Sequence, residues 1–363
     1  MNTSRKEQDI AAIASRFDGI VWTDVVLRHQ AYPALSQHVL LHAGPPLQDT
    51  IPMPIRQAAI EAILFEGLAE SHASAAALLD NGEVRLQPAQ DHGIVTPLAQ
   101  VVSASMPLFA VERNGMTCHA PMVESPAPAL RFGKPGPCCR AHLQMLSQFG
   151  MHVLKPALAR QPVSMSGPIR DALMHGEECH ALTAQANLSL ARQLDTLNAR
   201  DREVIVANPG FVLPLLMAAC ALRLKENGQI AAVGGNGRQF GYRLRDSDDW
   251  HLMPATPPQG TRFPGQEQTV ALGAIGDSAV IDFCGLGAQA LAFAPTLAHD
   301  WHAFLPADLQ AHRSRLLDDQ SGMIAPERLH GDAMPMVNLA ILDEAAQVGL
   351  IGRGVFRLGS QVS

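Results

Sequence analysis

The sequence predicts an α+β fold of several domains, in which two mixed α/β units flank a small helical domain. The chain has 363 residues, which exceeds the usual length of a domain with a single hydrophobic core. Short strand-like runs surround one helical stretch in the first third, and the apolar spacing becomes helical in the middle of the chain. We therefore expect an N-terminal mixed α/β domain at 1–135, a helical domain at 136–205 and a C-terminal α+β domain at 206–363.

The N-terminal unit combines short strands with one helix. The helix is expected in IRQAAIEAILFEGLAE, because this run follows Pro54, a helix start signal, and reaches Gly67 before the pattern breaks. The strands are expected in four runs of β-branched and apolar residues. These runs are GIVWTDVV (19–26), HVLLHAG (38–44), GEVRLQP (82–88) and MPLFAVER (106–113).

The remaining elements follow from the apolar pattern. Leu143, Leu146 and Phe149 recur at helical spacing and predict a helix that packs on the core. GFVLPLLMAACALRL, 210–224, predicts a buried helix, because the run is too short to span a bilayer. QIAAVGGNGRQFGYRLRD, 229–246, predicts two strands joined by a Gly/Asn turn. The end of the chain predicts an apolar helix and a Gly-spaced tail.

Composition excludes several classes of protein. The net charge of −7, without a block of Lys and Arg among aromatics, argues against a nucleic-acid-binding protein. The N-terminus lacks the apolar run of a signal peptide, so we expect a cytoplasmic protein without a membrane partner. The six cysteines form no CxxC pair and include the adjacent Cys138 and Cys139, which suits neither a zinc site nor a disulfide framework and predicts reduced thiols. We predict no metal ligands and no cofactor.

The segment HGEECH, 175–180, brings imidazoles, carboxylates and a thiol together. On a helix His175 and His180 would point roughly 140° apart, so they could not bind one metal ion. Glu177 and His180 are three positions apart and would be neighbours on a helix face. A carboxylate beside an imidazole fixes its tautomer and raises its basicity, as a general base requires. The alternative is an ordinary helix start, whose acids favour the N-terminal end of the dipole.

Other candidates lie in loops and turns. His42 precedes the rigid GPP loop, and His92 lies in a loop where the adjacent Asp91 points the opposite way. The GGNG turn offers converging N–H groups to an anion, and a plain hairpin turn explains it equally well. Asp277 or Ser278 could cap a helix or hold an anion at the helix N-terminus. Arg56 and Arg243 could each pair with a carboxylate or phosphate, although solvated arginines are commoner.

Taken in order, eight segments resemble the YlbE-like family, which includes the AllG type of oxamate carbamoyltransferase subunit. The resemblance extends from about residue 20 to the end of the chain. The segments are HAGPP (42–46), GEVRLQPAQDHGIVTPLAQVVSASMP (82–107), LRFG (130–133), MHGEECH (174–180), GNGRQFGYR (235–243), FPG (263–265), IGDSA (275–279) and GLG (285–287).

The resemblance implies a multi-domain α+β protein that moves a carbamoyl group between oxalurate and phosphate. It also implies a small anionic substrate and assembly with an FdrA-like subunit, and we expect a homo-oligomer. In this family context HGEECH faces the site. We predict His180, His92 and Glu178 as catalytic residues. The predicted ligand-binding residues are His42, Arg56, Gly235, Asn236, Gly237, Arg243, Asp277 and Ser278.

Two other functions stay open at this point. The chain has Gln90, Asp91 and His92 where relatives tend to have a run of histidines. This departure is consistent with a non-catalytic member that binds a ligand or a partner subunit. The His-rich segments also leave a metal-dependent hydrolase as a further alternative.

Overall fold

The computed structural model describes residues 3–123, 129–134, 136, 138–329, 331 and 333–359. Within these residues the chain forms thirteen α-helices and thirteen strands, and the strands belong to four sheets. The helices are α1 (Thr3–Ser15), α2 (Arg28–Ala31), α3 (Met53–Phe65), α4 (His72–Asp80), α5 (Cys139–Phe149), α6 (Lys155–Arg160), α7 (Ser166–Met174), α8 (Ala184–Gln193), α9 (Ala199–Val206), α10 (Leu213–Asn227), α11 (Ala279–Phe283), α12 (Pro295–Asp300) and α13 (Leu309–Leu316). The strands are β1 (Val21–Leu27), β2 (Val39–His42), β3 (Arg85–Pro88), β4 (Pro107–Arg113), β5 (Met116–Pro121), β6 (Val163–Ser164), β7 (Ile230–Asn236), β8 (Gln239–Leu244), β9 (Trp250–Pro254), β10 (Gln259–Arg262), β11 (Ile275–Gly276), β12 (Met336–Leu342) and β13 (Leu350–Arg357).

The strands and the helix predicted for the N-terminal part are confirmed, but the same part also contains α1, α2 and α4, which the sequence did not predict. β1 to β4 occupy the four strand-like runs, and α3 has Pro54 in its first turn and ends two residues before Gly67. Pro is favoured there because its missing N–H would have no helical partner. β1 pairs antiparallel with β4 and β6, and β4 pairs with β5, while β2 and β3 form a separate parallel pair.

The predicted helices of the middle region are also present. α5 buries Leu143, Leu146 and Phe149 on one face, as their spacing predicts. A π-helical turn at Gly150–Leu154 joins α5 to α6. α7 and α8 follow, and α7 packs against α1, near the start of the chain.

The helix start predicted within HGEECH is wrong. α7 ends at Met174 and α8 begins at Ala184, so the segment lies in the loop between them. Cys179 has a φ of +72°, which no right-handed helix accommodates. Glu177 accordingly does not neighbour His180 on a helix face, and its carboxylate accepts a hydrogen bond from the Gln185 N–H in the first turn of α8. A carboxylate at this position favours the helix dipole.

The C-terminal part contains the predicted hairpin and one element of the wrong type. β7 and β8 pair antiparallel around a turn in which Gly237 has a φ of +88°. The apolar helix predicted near the end is instead β12, which pairs with β13. Its apolar run of 336–342 contains a single polar residue, and a run this short suits a buried strand as well as a buried helix, so apolar pattern alone did not separate the two.

The largest hydrophobic core includes residues from Ile10 to Leu358 and therefore draws on all three predicted domains. α10 buries eleven consecutive residues, Pro214–Leu224, and packs against β4, β5, β7 and α11. The division of the chain at 135 and 205 stays a prediction. Among the described residues, none of the helices has the length and apolar character that crossing a bilayer requires.

Candidate functional site

A pocket of about 350 Å³ opens between segments that are distant in sequence. This volume lies at the small end of the range for ligand pockets, roughly 300–1,000 Å³. The pocket is bounded by the loop before α8, the loop before α10 and the strands β12 and β13. The polar and charged residues that line it are Arg131, Glu177, His180, Thr183, Ser278, Asn338 and Arg353.

Two buried carboxylates hold His180 and Asn338 next to each other. Glu178 accepts hydrogen bonds from the His180 backbone N–H at 2.8 Å and from Asn338 Nδ2 at 2.8 Å. Asp282 Oδ2 lies 2.8 Å from His180 Nδ1, and Asp282 Oδ1 accepts from the Asn338 backbone N–H at 3.0 Å. His180 and Asn338 are each bonded to both carboxylates, which fixes their relative position.

The imidazole of His180 has a fixed orientation and a raised pKa. Burial lowers its pKa, but the charge and hydrogen bond of Asp282 outweigh burial, and the pKa is raised above its ordinary value. Because Nδ1 faces a carboxylate, Nδ1 carries the proton in the neutral ring, and Nε2 is the atom that takes or gives a proton. His180 therefore combines a fixed tautomer with raised basicity, the chemistry of a general base.

Glu178 organises the loop around His180. Its carboxylate accepts from the backbone N–H groups of His180, Ala181 and Leu182, in addition to Asn338. Three consecutive amides can converge on one carboxylate only if the chain turns tightly. The left-handed φ of Cys179 belongs to this turn. A catalytic role for Glu178 stays a prediction.

The pocket also offers positive charge. Arg131 is buried, and its guanidinium lies 4.5 Å from the centre of the Phe132 ring. Arg353, on β13, is exposed. The lining carboxylate, Glu177, is half-buried, and burial raises its pKa. Two guanidinium groups suit a ligand that carries a carboxylate or phosphate.

Asp277, next to the pocket residue Ser278, lies in a second buried cluster. Its Oδ1 accepts from the Gly44 N–H at 2.8 Å and from Gln90 Nε2 at 2.7 Å, and its Oδ2 accepts from the Thr96 N–H at 2.9 Å. Burial raises the pKa of Asp277 to about 7, although these three hydrogen bonds lower it. The carboxyl group joins the HAGPP loop to the start of α11.

The HAGPP loop and the GGNG turn, both predicted as site segments, meet in the structure. Gly44 has a φ of +76°, and a Cβ there would lie 2.3 Å from the Gly235 carbonyl carbon. Asn236 Nδ2 donates to the Pro45 carbonyl at 3.0 Å, its Oδ1 accepts from two amides of the turn, and the Gly237 N–H donates to a backbone carbonyl. The contacts of Asn236 Oδ1 are those of a hairpin turn, whereas the other two tie the turn to neighbouring segments. The role of an anion cradle stays a prediction.

The structure does not bring the other two predicted histidines to the pocket. His42 is fully buried, its Nδ1 lies 2.8 Å from the Ala43 carbonyl oxygen, and burial lowers its pKa to about 4. His92 Nε2 lies 2.8 Å from Gln87 Oε1. Within the described ranges, no group of three His, Cys, Asp or Glu side chains could hold a metal ion.

The two predicted arginines also lie outside the pocket lining. Arg56 forms a two-point ion pair with Asp80, with distances of 2.7 and 2.9 Å. Arg243 Nη1 lies 3.5 Å from a carboxylate oxygen of Asp91. The predicted set thus divides: His180 and Ser278 line the pocket with Glu178 directly behind, while the remaining residues lie elsewhere.

Sequence reasoning missed the residues that complete the pocket. Asp282 and Asn338 each occur as a single polar residue inside an apolar run, AVIDF and MVNLAIL. A polar group in such a run is costly to bury unless it is hydrogen-bonded, so both runs carried a usable signal. No such signal marks Arg353 in the sequence, because its position in the pocket depends on the pairing of β12 with β13.

Comparison with known proteins gives one family and two relatives. The family described as oxamate carbamoyltransferase subunit AllG matches residues 84–278, a region that includes His180 and Ser278. The oxamate carbamoyltransferase subunit AllG of Escherichia coli is 28% identical over 377 residues, 93% of this chain and 90% of that protein. The uncharacterized protein YahG of the same organism is 26% identical over 366 residues, 89% of this chain and 76% of that protein.

A solved structure shares the fold. It is a conserved protein of unknown function from Enterococcus faecalis V583, with a TM-score of 0.82 and 20% sequence identity. The alignment covers 98% of this chain and 94% of that one. Likeness at this level of identity shows the fold alone.

Proposed function

Since this chain belongs to the family of the oxamate carbamoyltransferase subunit AllG, we propose that it is a subunit of a carbamoyltransferase-type enzyme. The substrate in this proposal is a small carboxylated amide such as oxamate, with carbamoyl phosphate as the carbamoyl donor. The observation that carries the proposal is the pocket that His180, oriented by Asp282, lines together with Arg131 and Arg353.

The proposed reaction needs a base, because an amide nitrogen is a poor nucleophile. The nitrogen attacks the carbamoyl carbon, a C–N bond forms, the C–O bond to phosphate breaks and phosphate leaves. One proton of the amide passes to His180 Nε2. Asp282 keeps Nδ1 protonated and stabilises the imidazolium that forms, as the carboxylate does in a catalytic triad.

The arginines suit the charges of both reactants. The exposed Arg353 offers donors to an anionic group of the reactants, and Arg131 adds positive charge to the pocket. Holding two reactants in one small pocket converts a bimolecular reaction into an effectively unimolecular one. A guanidinium beside the phosphate also stabilises the charge that grows on the leaving group.

We also propose that activity requires a partner, an FdrA-like subunit. Support comes from the name of the Escherichia coli relative, which designates a subunit. Oxamate-dependent phosphate release from carbamoyl phosphate would be measured with this chain alone, with the products of neighbouring genes alone, and with both together. We expect release only when this chain and the partner are both present, and release by this chain alone would contradict the requirement for a partner.

A pair of variants tests the role of His180. His180→Asn keeps a donor for Asp282 and removes Nε2, so we expect transfer to fall by roughly 10²–10⁴-fold. The matched control is His175→Asn, since this exposed histidine lies in the same segment and outside the pocket, and we expect wild-type rates from it. Full activity in His180→Asn, or no oxamate-dependent release in any combination, would overturn the proposal.

A further inference from the structure

We infer that the chain binds a phosphate group in a second pocket, between the guanidinium groups of Arg16 and Arg223. The group belongs to free phosphate or to a phosphate ester with a polar body. This arginine pocket, named for its lining residues Arg16, Arg113 and Arg223, has a volume of about 850 Å³. It shares no lining residue with the pocket of His180, so the inference does not rest on the proposed function.

The arginine pocket lies where four parts of the chain meet. The turn after α1 contributes Arg16, the end of β4 contributes Arg113, the C-terminal half of α10 contributes Arg223, and the loop after α13 lines the remaining side at 318–327. Asparagine, glutamine and serine side chains also line it. The volume and the polar lining suit a ligand larger than a phosphate ion whose body forms hydrogen bonds.

Arg16 and Arg223 come from different elements and meet on the same short stretch of loop. Arg16 Nη2 donates to the Asp319 carbonyl at 3.0 Å, and Arg223 Nη2 donates to the Ser321 carbonyl at 2.6 Å. Residues two positions apart have Cα atoms at most about 7 Å apart, so the two guanidinium groups lie close together. Arg223 is buried and Arg16 is half-buried.

The protein does not neutralise these two charges. Among the described residues, no carboxylate forms an ion pair with either guanidinium, and the bonds of both go to backbone carbonyls. Arg113 differs, because it forms an ion pair with Glu226. Two further carboxylates of the lining, Asp18 and Glu327, are exposed, where water and salt screen them. The pair of guanidinium groups therefore lacks a counter-ion.

The pKa of Arg16 agrees with this description. Burial and, next, the charge of Arg223 lower this pKa by more than the nearby carboxylates of Asp318 and Asp319 raise it. The two guanidinium groups thus repel each other at a place where burial already disfavours charge. An anion bound between them would stabilise both.

The arrangement of donors favours phosphate over a carboxylate. A guanidinium has five N–H donors, of which Arg16 uses one and Arg223 two among the described residues. A phosphate dianion carries two negative charges, and its tetrahedral oxygens accept from groups that approach in different directions. A carboxylate has one charge and two oxygens in one plane, which match a single guanidinium.

Calorimetric titration of the full chain with inorganic phosphate tests the inference. We expect Arg16→Gln to weaken phosphate binding at least about tenfold, because a charge-assisted contact is lost. Arg315→Gln is the matched control: it removes the same charge from an exposed arginine outside the lining and should leave the affinity unchanged. Arg353→Ala separates the two pockets, because it removes a guanidinium beside His180 and should preserve the binding that depends on Arg16.

A parallel titration with ribose 5-phosphate distinguishes the two sources of the phosphate group. Tighter binding than that of inorganic phosphate identifies an ester, whose body contacts the polar lining. Weaker binding identifies the free ion. In both cases the affinity should fall in Arg16→Gln.

A measurement on the wild type keeps the inference testable if Arg16→Gln does not fold. Phosphate should protect Arg16 from modification by phenylglyoxal, as read by mass spectrometry of the peptides. No protection of Arg16, no binding of either ligand, or an unchanged affinity in folded Arg16→Gln would overturn the inference. Loss of all phosphate binding in Arg353→Ala would do the same, since the ion would then lie beside His180.

Discussion

Asp277 is a fully buried carboxyl group that makes the stability of the protein depend on pH. Burial raises its pKa from 3.8 to about 7. Between these values the folded protein holds a proton on Asp277 that the unfolded chain has released. The contribution of Asp277 to the free energy of unfolding is therefore complete below about pH 3.8 and is lost progressively as the pH rises to about 7.

The variant Asp277→Asn isolates this effect. We expect the wild-type free energy of unfolding, minus that of the variant, to fall by up to about 1.4 kcal/mol per pH unit within this window and to level off above it. Urea denaturation at several pH values from 4.5 to 8 would measure it. His42, with its pKa lowered to about 4, gives the opposite slope below pH 6.5, but it is present in both proteins and cancels in the difference. A difference that does not change with pH would contradict the assignment.

The sequence identifies some single residues of the pocket and not the contacts that prepare them. His180 could be predicted because an imidazole near carboxylates is visible in a short segment. Its partner Asp282 lies 102 positions later, and nothing local connects the two. Glu177, the nearest carboxylate at helical spacing, instead bonds to α8, because the segment is a loop. Contacts of this kind depend on tertiary packing, which residue spacing does not encode.

At the scale of elements, the loop after β2 and the strand β7 approach each other at backbone contact. A Cβ on Gly44 would meet the Gly235 carbonyl carbon at 2.3 Å, so the loop cannot carry a side chain there. Gly67 has a similar φ, +69° against +76°, but no atom lies within 4 Å of the Cβ position. Both glycines have a left-handed φ, but only Gly44 also lies in close contact with another segment, β7.

We expect Gly67→Ala to lower the free energy of unfolding by about 1–2 kcal/mol, the cost of a left-handed alanine. Gly44→Ala should cost roughly a further 1–3 kcal/mol, because the loop and β7 must move apart. Urea denaturation of both variants beside the wild type would measure the two losses. Equal losses would show that backbone conformation alone accounts for the glycine at 44.

Elements with a strong local pattern could be predicted, and those that depend on context could not. The start of α3 follows from Pro54, and the β7–β8 turn follows from its Gly/Asn pair. β12 lies where the sequence predicts a helix, because its apolar residues suit both structures. The loop between α7 and α8 depends on one carboxylate that gathers three amides, an arrangement that turn propensities do not indicate.

At the scale of the whole molecule, the hydrophobic core does not follow the predicted domain boundaries. The largest cluster contains Phe17 from the N-terminal part, Leu190 from the predicted helical domain and Phe356 from the C-terminal part. α7 and α8 bury their apolar faces against one another, and α7 also packs on α1. A fragment of 136–205 would expose the surfaces that these contacts cover.

We therefore expect the full chain to unfold in one transition and the isolated fragment 136–205 to lack a stable fold. Trp22 and Trp301 are both buried, and they report on the first and last predicted domains. Two proteins, each with Trp22 or Trp301 as its single tryptophan and with Trp250 also replaced by Phe, should show fluorescence transitions in urea that coincide with each other and with the loss of helical circular dichroism. The fragment should show no cooperative thermal transition, because the residues that cover its apolar faces are missing. Separate transitions for Trp22 and Trp301, or a cooperatively folded fragment, would instead support three independent domains, and the pocket would then lie between units that can move relative to one another.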